Sequence, residues 1–170
     1  MMYPEPTNIW ESIEYSSLGI SIAESTWAFP TLETIHVIGL VTVLGTIMVM
    51  DLRLLGLASN QVAVTKMSKD TLPWTWAGFV LAALTGSLLF ISKASSYMAN
   101  PYFLWKMGLL AAAGINMLIF HFITYKTVEN WDTASVLPAG AKVAATLSLI
   151  FWVLVVFFGR AIGFTLGIFY

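Results

Sequence analysis

Four long runs of apolar residues divide this chain, and short polar stretches separate them. The runs cover residues 31–57, 72–91, 102–125 and 139–158. Each run is close to or above the roughly 20 residues that a helix needs to cross a bilayer core of about 30 Å. Their interiors hold few ionisable side chains, as helices in lipid require. The pattern predicts an all-α fold, with a bundle of four transmembrane helices over residues 30–170.

The N-terminal segment, residues 1–29, follows a different pattern. Its apolar side chains fall on one face at helical spacing, at Ile9, Ile13, Ile20, Ala23 and Trp27. An amphipathic segment of this kind is typical of a helix that lies in the membrane interface. A loop that caps the bundle is an equally good interpretation. The segment lacks a basic stretch followed by a short apolar one, so we expect no cleaved signal peptide.

The composition supports a membrane domain and excludes several kinds of site. Of the 170 residues, 58% are hydrophobic and 10% are charged, and the mean hydropathy is +0.82. The chain has no cysteine, which excludes disulfides, iron–sulfur clusters and covalently attached haem. The net charge of −1 offers no basic face for nucleic acid. We therefore expect the lipid bilayer, and no nucleic acid, as the surroundings of this protein.

Basic residues near the helix ends predict the orientation. Five lie on the face of the first and third loops: Arg53, Lys66, Lys69, Lys126 and Lys142. Three lie on the opposite face: Lys93, Lys106 and Arg160. The N-terminal segment carries glutamates and no lysine or arginine. The positive-inside rule then places both termini outside the cytoplasm. In a Gram-negative bacterium this means an inner-membrane protein with periplasmic termini.

Two ionisable residues in the spans indicate a site. His36 lies about one and a half turns into the first span, and Lys106 lies near the start of the third. Because successive helices alternate in direction, both residues are expected at the same membrane face. An imidazole and a neutral amine at one depth can be the two axial ligands of a b-type haem, and burial favours the neutral amine. Alternatively, His36 is a packing residue and Lys106 reaches up to the headgroups.

Further charged side chains are expected around this pair. Glu33 precedes His36 by three residues and shares its helix face, so its carboxylate could orient the imidazole. Arg160 and Lys93 are predicted at the same membrane face, where they could hold haem propionates by charge-assisted hydrogen bonds. Anchoring to lipid phosphates is the alternative role of both cations.

The second histidine, His121, is predicted at the other membrane face. It lies 15 residues beyond Lys106, which is about 22 Å along a helix, so it cannot share an iron with His36. Asp51 and Arg53 end the first span on that face. They form either a terminal charge pair or, with His121 and Asn116, a proton path or a site for a quinone headgroup.

Glycines recur in the first three spans, at Gly39, Gly45, Gly78, Gly86, Gly108 and Gly114. Small residues allow transmembrane helices to approach closely, and they would also make room for a flat macrocycle. The sequence does not separate the two roles.

Several segments resemble an uncharacterised family of short bacterial four-helix membrane proteins. They are WAFPTLETIHVIGLVTVLGTIMVMDLRLLGL, TGSLLF, NPYFLWKMGLL and GINMLIFH, and the resemblance extends from Trp27 onward. More distantly, the first-span histidine and third-span lysine are similar to those of HemJ-type protoporphyrinogen oxidases and CopD-like membrane proteins. The resemblance implies b-type haem on His36 and Lys106. It implies no enzymatic activity, because VIGLVTVLG replaces the HemJ-type run of tryptophan, phenylalanine, alanine, glycine and leucine after the histidine.

Two functions are therefore expected from the sequence. The first is a haem-b membrane protein that passes electrons to a quinone or between subunits of a membrane complex. The second is a non-catalytic accessory subunit of a larger membrane complex. The sequence indicates no catalytic residue and leaves open whether the protein is an enzyme.

Overall fold

A computed structural model describes residues 4–134 and 136–169, and that part of the chain is helical without a strand. Seven α-helices follow one another along it: α1 (Ile9–Glu14), α2 (Ser17–Glu24), α3 (Ala28–Leu55), α4 (Val64–Ser92), α5 (Ala94–Ala99), α6 (Pro101–Ile119) and α7 (Ala139–Thr165). A π-helical turn, Phe120–Thr124, and a 3₁₀ turn, Tyr125–Asn130, continue from α6. The all-α prediction is confirmed.

Four helical segments are long and apolar enough to cross a membrane: α3, α4, α7 and the unit of α6 with its two turns, Pro101–Asn130. Large apolar side chains cover the outside of these segments, as at Val41, Leu84, Ile115 and Val153. In water such a surface would be an extended apolar patch, whereas in a bilayer it contacts lipid. The chain is a multi-pass membrane protein.

The four long helices form two pairs. Helix α3 packs along α4, α6 packs along α7, and α3 also packs against α7, whereas α4 and α6 do not pack along each other. The α3–α4 crossing is close because Gly39 and Gly78 face each other. A Cβ atom added to Gly39 would lie 3.0 Å from the Gly78 carbonyl oxygen, so these two glycines serve helix packing.

The second span begins earlier than the sequence suggested. Helix α4 starts at Val64 rather than near residue 72, and Pro73 lies inside it. The reason is a cap supplied by a distant loop: the Asp132 carboxylate accepts hydrogen bonds from the Thr65 backbone N–H and the Thr65 hydroxyl, both at 2.7 Å. The Asp132 carbonyl oxygen also accepts from the Val64 N–H at 3.1 Å. A cap that lies 67 residues away leaves no local sequence signal.

The N-terminal segment forms two short helices instead of one interfacial helix. The chain breaks at Tyr15 and Ser16, where the Ser16 hydroxyl caps α2 by accepting from the Gly19 N–H at 3.2 Å. Helices α1 and α2 pack against α4 and α5, and the Glu14 carboxylate accepts from the Ser95 N–H at 3.0 Å. The segment therefore covers one end of the bundle, which agrees with the capping interpretation.

Candidate functional site

A large cavity lies between the α3–α4 pair and the α6–α7 pair. Its volume is about 1470 Å³, and all four long helices line it. All five candidate residues are on its wall: Glu33, His36, Lys93, Lys106 and Arg160. Asp51 and His121 line the same cavity near the other ends of α3 and α6. We call the two ends of the cavity the His36 end and the His121 end.

The hydrogen bonds of His36 determine its tautomer. The ring nitrogen Nδ1 lies 2.9 Å from the Ala82 carbonyl oxygen, which can only accept, so Nδ1 carries the proton and donates. Nδ1 also lies 3.2 Å from the Thr85 hydroxyl oxygen, whose own proton goes to the Leu81 carbonyl at 2.7 Å. The other ring nitrogen, Nε2, is left with its lone pair. This is the arrangement found for metal-ligating histidines, whose second nitrogen donates to a carbonyl or carboxylate.

Gly86 makes space for the His36 ring. A Cβ atom added to Gly86 would lie 2.9 Å from the ring carbon Cε1 and 3.3 Å from Nδ1. Real Cβ contacts are longer than this, so any side chain at this position would push the ring aside. Residues on α4 thus set the ring position twice, by two hydrogen-bond acceptors and by one missing side chain.

Lys106 joins His36 in the cavity. A Cβ atom added to Gly159 of α7 would lie 3.7 Å from its Nζ. The aliphatic stem runs along the same glycine. Within the described part of the chain the amine has no hydrogen-bond acceptor. The structure therefore places His36 and Lys106 on the wall of one cavity.

Lys93 and Arg160 lie at the His36 end of the cavity with their charges over aromatic rings. The Lys93 Nζ is 5.2 Å from the centre of the Phe29 ring. The Arg160 guanidinium carbon is 4.6 Å from the centre of the Phe164 ring. Phe164 is exposed, and a cation over an exposed ring is held by about 0.5–1 kcal/mol, so an anionic group could compete for Arg160.

Glu33 does not orient the His36 ring, contrary to the expectation from sequence. The Ala82 carbonyl and the Thr85 hydroxyl take that role, and Glu33 is exposed on the first turns of α3. Its charge instead acts on Tyr97 of α5. Burial, followed by the nearby Glu33 carboxylate, raises the pKa of Tyr97 to about 12.

An aromatic cluster closes the gap between α4 and α6 at the His36 end. Phe90 of α4 stacks on Phe103 of α6 with ring centres 5.6 Å apart. Trp10 of α1 meets the edge of Phe90 at 6.1 Å, and Tyr97 packs on Phe103 at 5.3 Å. These side chains line the cavity, so helix α1 takes part in its closure. Among the described residues, the stacked pair of Phe90 and Phe103 is the ring contact between α4 and α6.

Arg53 does not pair with Asp51. Its guanidinium is 1% exposed and donates to two backbone carbonyl oxygens, that of Val62 at 2.7 Å and that of Asp132 at 3.3 Å. Arg53 therefore holds the loops after α3 and before α7 together, and the expected terminal charge pair is wrong. A one-dimensional charge pattern cannot distinguish an ion pair from a cation that binds backbone.

Asp51 and His121 each keep a polar atom without a partner. The Asp51 side chain is 6% exposed, and its Oδ2 has no hydrogen bond among the described residues. The same holds for Nδ1 of His121. The Ser148 hydroxyl lies beside the Asp51 carboxyl. Buried polar atoms are hydrogen-bonded in the great majority of cases, so two exceptions on one cavity require an explanation.

The sequence did not identify the residues that prepare the site. Ala82 and Thr85 accept from His36, Gly86 makes space for the His36 ring, and Ser148 lies beside Asp51. Gly86 is one of the glycines whose role the sequence leaves open. The others act through a backbone carbonyl or a hydroxyl, so only the tertiary structure reveals them.

The described residues contain no group of three or more histidine, cysteine, aspartate or glutamate side chains that could hold a metal ion. His36 and Lys106 offer two nitrogen donors, the number that a haem iron would take from the protein in addition to its porphyrin.

Comparison with known proteins identifies the family of this chain. It belongs to the DUF6644 family, a family of unknown function whose profile matches residues 10–165. No curated protein and no solved structure matches the chain. The comparisons therefore give no support to the distant similarity with HemJ-type and CopD-like proteins.

Proposed function

We propose that this member of the DUF6644 family binds a b-type haem at the His36 end of its cavity and passes electrons within the membrane. His36 Nε2 and Lys106 Nζ would hold the iron. Lys93 and Arg160 would bind the propionates. The protein lies in the bacterial inner membrane with both termini on the periplasmic side, because the basic residues favour the opposite face for the cytoplasm.

The geometry of His36 is the observation that carries this proposal. The described residues give His36 partners only at Nδ1, and His36 lies on the cavity wall. The Ala82 carbonyl fixes the tautomer of the ring, and the same cavity wall holds an amine without an acceptor among the described residues. Unpaired polar groups inside a membrane are costly and are usually functional.

The size of the cavity also supports a bound ligand. The cavity has a volume of about 1470 Å³ and is lined by all four long helices. Ligand sites commonly measure about 300–1,000 Å³. A macrocycle at the His36 end is accommodated, and space remains toward the His121 end.

A bound haem would supply one-electron redox chemistry at its iron. The residues of this chain would set the redox potential of that iron. The Ala82 carbonyl polarises the His36 ring through Nδ1 and makes Nε2 a better electron donor. The aromatic cluster of Trp10, Phe90, Tyr97 and Phe103 keeps water away from this end. Together they provide an apolar, pre-arranged site of the kind that tunes a redox potential.

A quantitative haem assay tests the proposal. The full chain is expressed with added 5-aminolevulinate, purified in dodecyl maltoside and treated with alkaline pyridine, which gives a distinct spectrum with b-type haem. We expect about one haem for each chain. A preparation without pigment, from cells that assemble other b-type cytochromes at the same time, would refute the proposal.

The second expected function was a non-catalytic accessory subunit. A scaffold needs packed helices, whereas α4 and α6 leave an open cavity between them, so this function has less support. A haem subunit can also belong to a complex. Haem-free protein that co-purifies with a stoichiometric partner would favour the scaffold.

A further inference from the structure

The His121 end of the cavity contains a second candidate site, about 22 Å along α6 from Lys106 at 1.5 Å per residue. Asp51 precedes Leu54 by one turn of α3, and His121 follows Phe120. Leu54 and Phe120 belong to one core cluster, so the two polar residues lie at one end of the bundle. Each has a buried polar atom without a partner among the described residues.

The backbone around His121 is unusual. Residues Phe120–Thr124 form a π-helical turn between α6 and the 3₁₀ turn. Such turns are rare and occur frequently at functional sites, because the wider turn redirects one side chain. The His121 ring stacks on Tyr125 with ring centres 5.4 Å apart and meets Phe120 edge-on at 5.8 Å. Its orientation on the cavity wall is therefore fixed by aromatic contacts rather than by a hydrogen bond.

The lining of this end indicates the class of ligand. The basic residues Lys93, Lys106 and Arg160 are at the His36 end, whereas Asp51, Asn116, Ser148 and His121 are among the polar residues of the lining here. The Asn116 side-chain N–H donates to the Ala144 carbonyl at 2.9 Å. An anionic lipid phosphate at this end would meet the Asp51 carboxyl, and the described residues of the lining here include no lysine or arginine that would attract it. A neutral headgroup that both donates and accepts hydrogen bonds matches the Asp51 and His121 side chains of this lining.

The path of entry indicates the rest of the ligand. Helices α4 and α6 do not pack along each other, and the aromatic contact of Phe90 with Phe103 closes only the His36 end. Between this contact and the His121 end, apolar residues of both helices line the cavity, among them Phe79, Ala83, Leu110 and Met117. A molecule with a hydrocarbon tail can therefore pass sideways from the bilayer between α4 and α6.

We propose that the His121 end binds the headgroup of a membrane quinol or quinone, with Asp51 and His121 as its hydrogen-bond partners. A quinol hydroxyl donates to the Asp51 carboxylate, and an oxygen on the other side of the ring meets His121. The isoprenoid tail leaves between α4 and α6. Binding here uses neither His36 nor Lys106, so this site does not depend on the haem proposal.

Titration with decylubiquinone, in both oxidation states, tests the site. The full chain is reconstituted in nanodiscs, and the fluorescence of tryptophan is followed, because Trp152 lines the cavity and quinones quench indole emission. We expect saturable quenching that is reduced by Trp152→Phe. Asp51→Asn and His121→Phe should each weaken binding by about tenfold, which is the loss of one hydrogen bond to a buried group. Asp70→Asn, at an exposed carboxylate on α4, should leave binding unchanged.

Two results would overturn this inference. One is absence of saturable quenching in the wild-type protein. The other is equal affinity of the wild type, Asp51→Asn and His121→Phe, which would indicate partition into a cavity that any lipid tail enters. The titration is repeated with His36→Ala protein, and binding that persists there separates the quinone site from the haem site. Extraction of the purified protein should yield a higher ratio of quinone to phospholipid than the membrane from which the protein was taken.

Discussion

The His36 imidazole lies against the bare Cα of Gly86, so closely that an added Cβ atom would come within 2.9 Å of the ring carbon Cε1. Helix α4 thereby controls a side chain of α3. The same contact directs Nδ1 to the Ala82 carbonyl and leaves Nε2 for the cavity. The orientation of the proposed ligand thus depends on a residue that would never touch iron.

Gly86→Ala should displace the His36 ring and reduce haem binding. We expect hemin affinity to fall by about 10–100-fold, the effect of losing a residue that orients a metal ligand. The measurement is a hemin titration followed in the Soret band. Gly45→Ala is the control, because nothing lies within 4 Å of a Cβ at that position of α3. Equal losses in both variants would mean that His36 is not positioned by Gly86.

Lys106→Met should keep the stem of the side chain and remove the amine. If Lys106 is an axial ligand, the pigment remains on His36 but its absorption bands shift and its affinity falls, because one of two ligands is lost. Lys93→Met removes a cation that lies over Phe29 and should leave the band positions unchanged. Identical spectra for the wild type and Lys106→Met would exclude the amine as a ligand.

Gly114→Phe should fill part of the cavity. Gly114 lines the cavity, and nothing lies within 4 Å of a Cβ at this position, so the ring has space without disturbing the helices. We expect decylubiquinone affinity to fall at least tenfold. Gly108→Phe is the matched control, because Gly108 has the same free space on α6 and is not among the residues of the cavity wall. Equal affinities in the two variants would mean that the quinone binds elsewhere.

Arg53→Met should destabilise the protein without affecting either proposed ligand directly. The buried guanidinium donates to the carbonyls of Val62 and Asp132. Its loss leaves the Val62 carbonyl unpaired, and the Asp132 carbonyl keeps only the Val64 N–H. Hydrogen bonds to charged groups are worth about 1.5–3 kcal/mol, so we expect unfolding to become easier by about 2–3 kcal/mol. A thermal or denaturant unfolding assay in detergent measures this. Lys66→Met, at an exposed position, should have little effect, and equal stabilities would contradict the role of Arg53.

The sequence was sufficient for the architecture because lipid restricts the choices. Four apolar runs predict four spanning helices, and the structure has four helical segments of that kind. The alternating direction of successive helices predicts His36 and Lys106 at the same membrane face, and in the structure both residues line one cavity. These predictions needed only span positions and helix length.

Other features depended on contacts between distant segments. The start of α4 is set by Asp132, and Arg53 finds its partners in two loops. Glu33 was assigned to His36 from helix spacing alone, whereas the Ala82 carbonyl of another helix takes that place. Every residue has a backbone carbonyl, and glycines recur along the spans. The sequence pattern therefore cannot identify the carbonyl or the glycine that contacts a site residue.

Hemin titration of three proteins in nanodiscs tests the central claim most directly. The wild type should bind one hemin with a Soret band that shifts on reduction. His36→Ala should lose this band, and His121→Ala should retain it, because His121 lies at the other end of the cavity. Loss of the band in His121→Ala with its retention in His36→Ala, or binding by none of the three, would contradict the account.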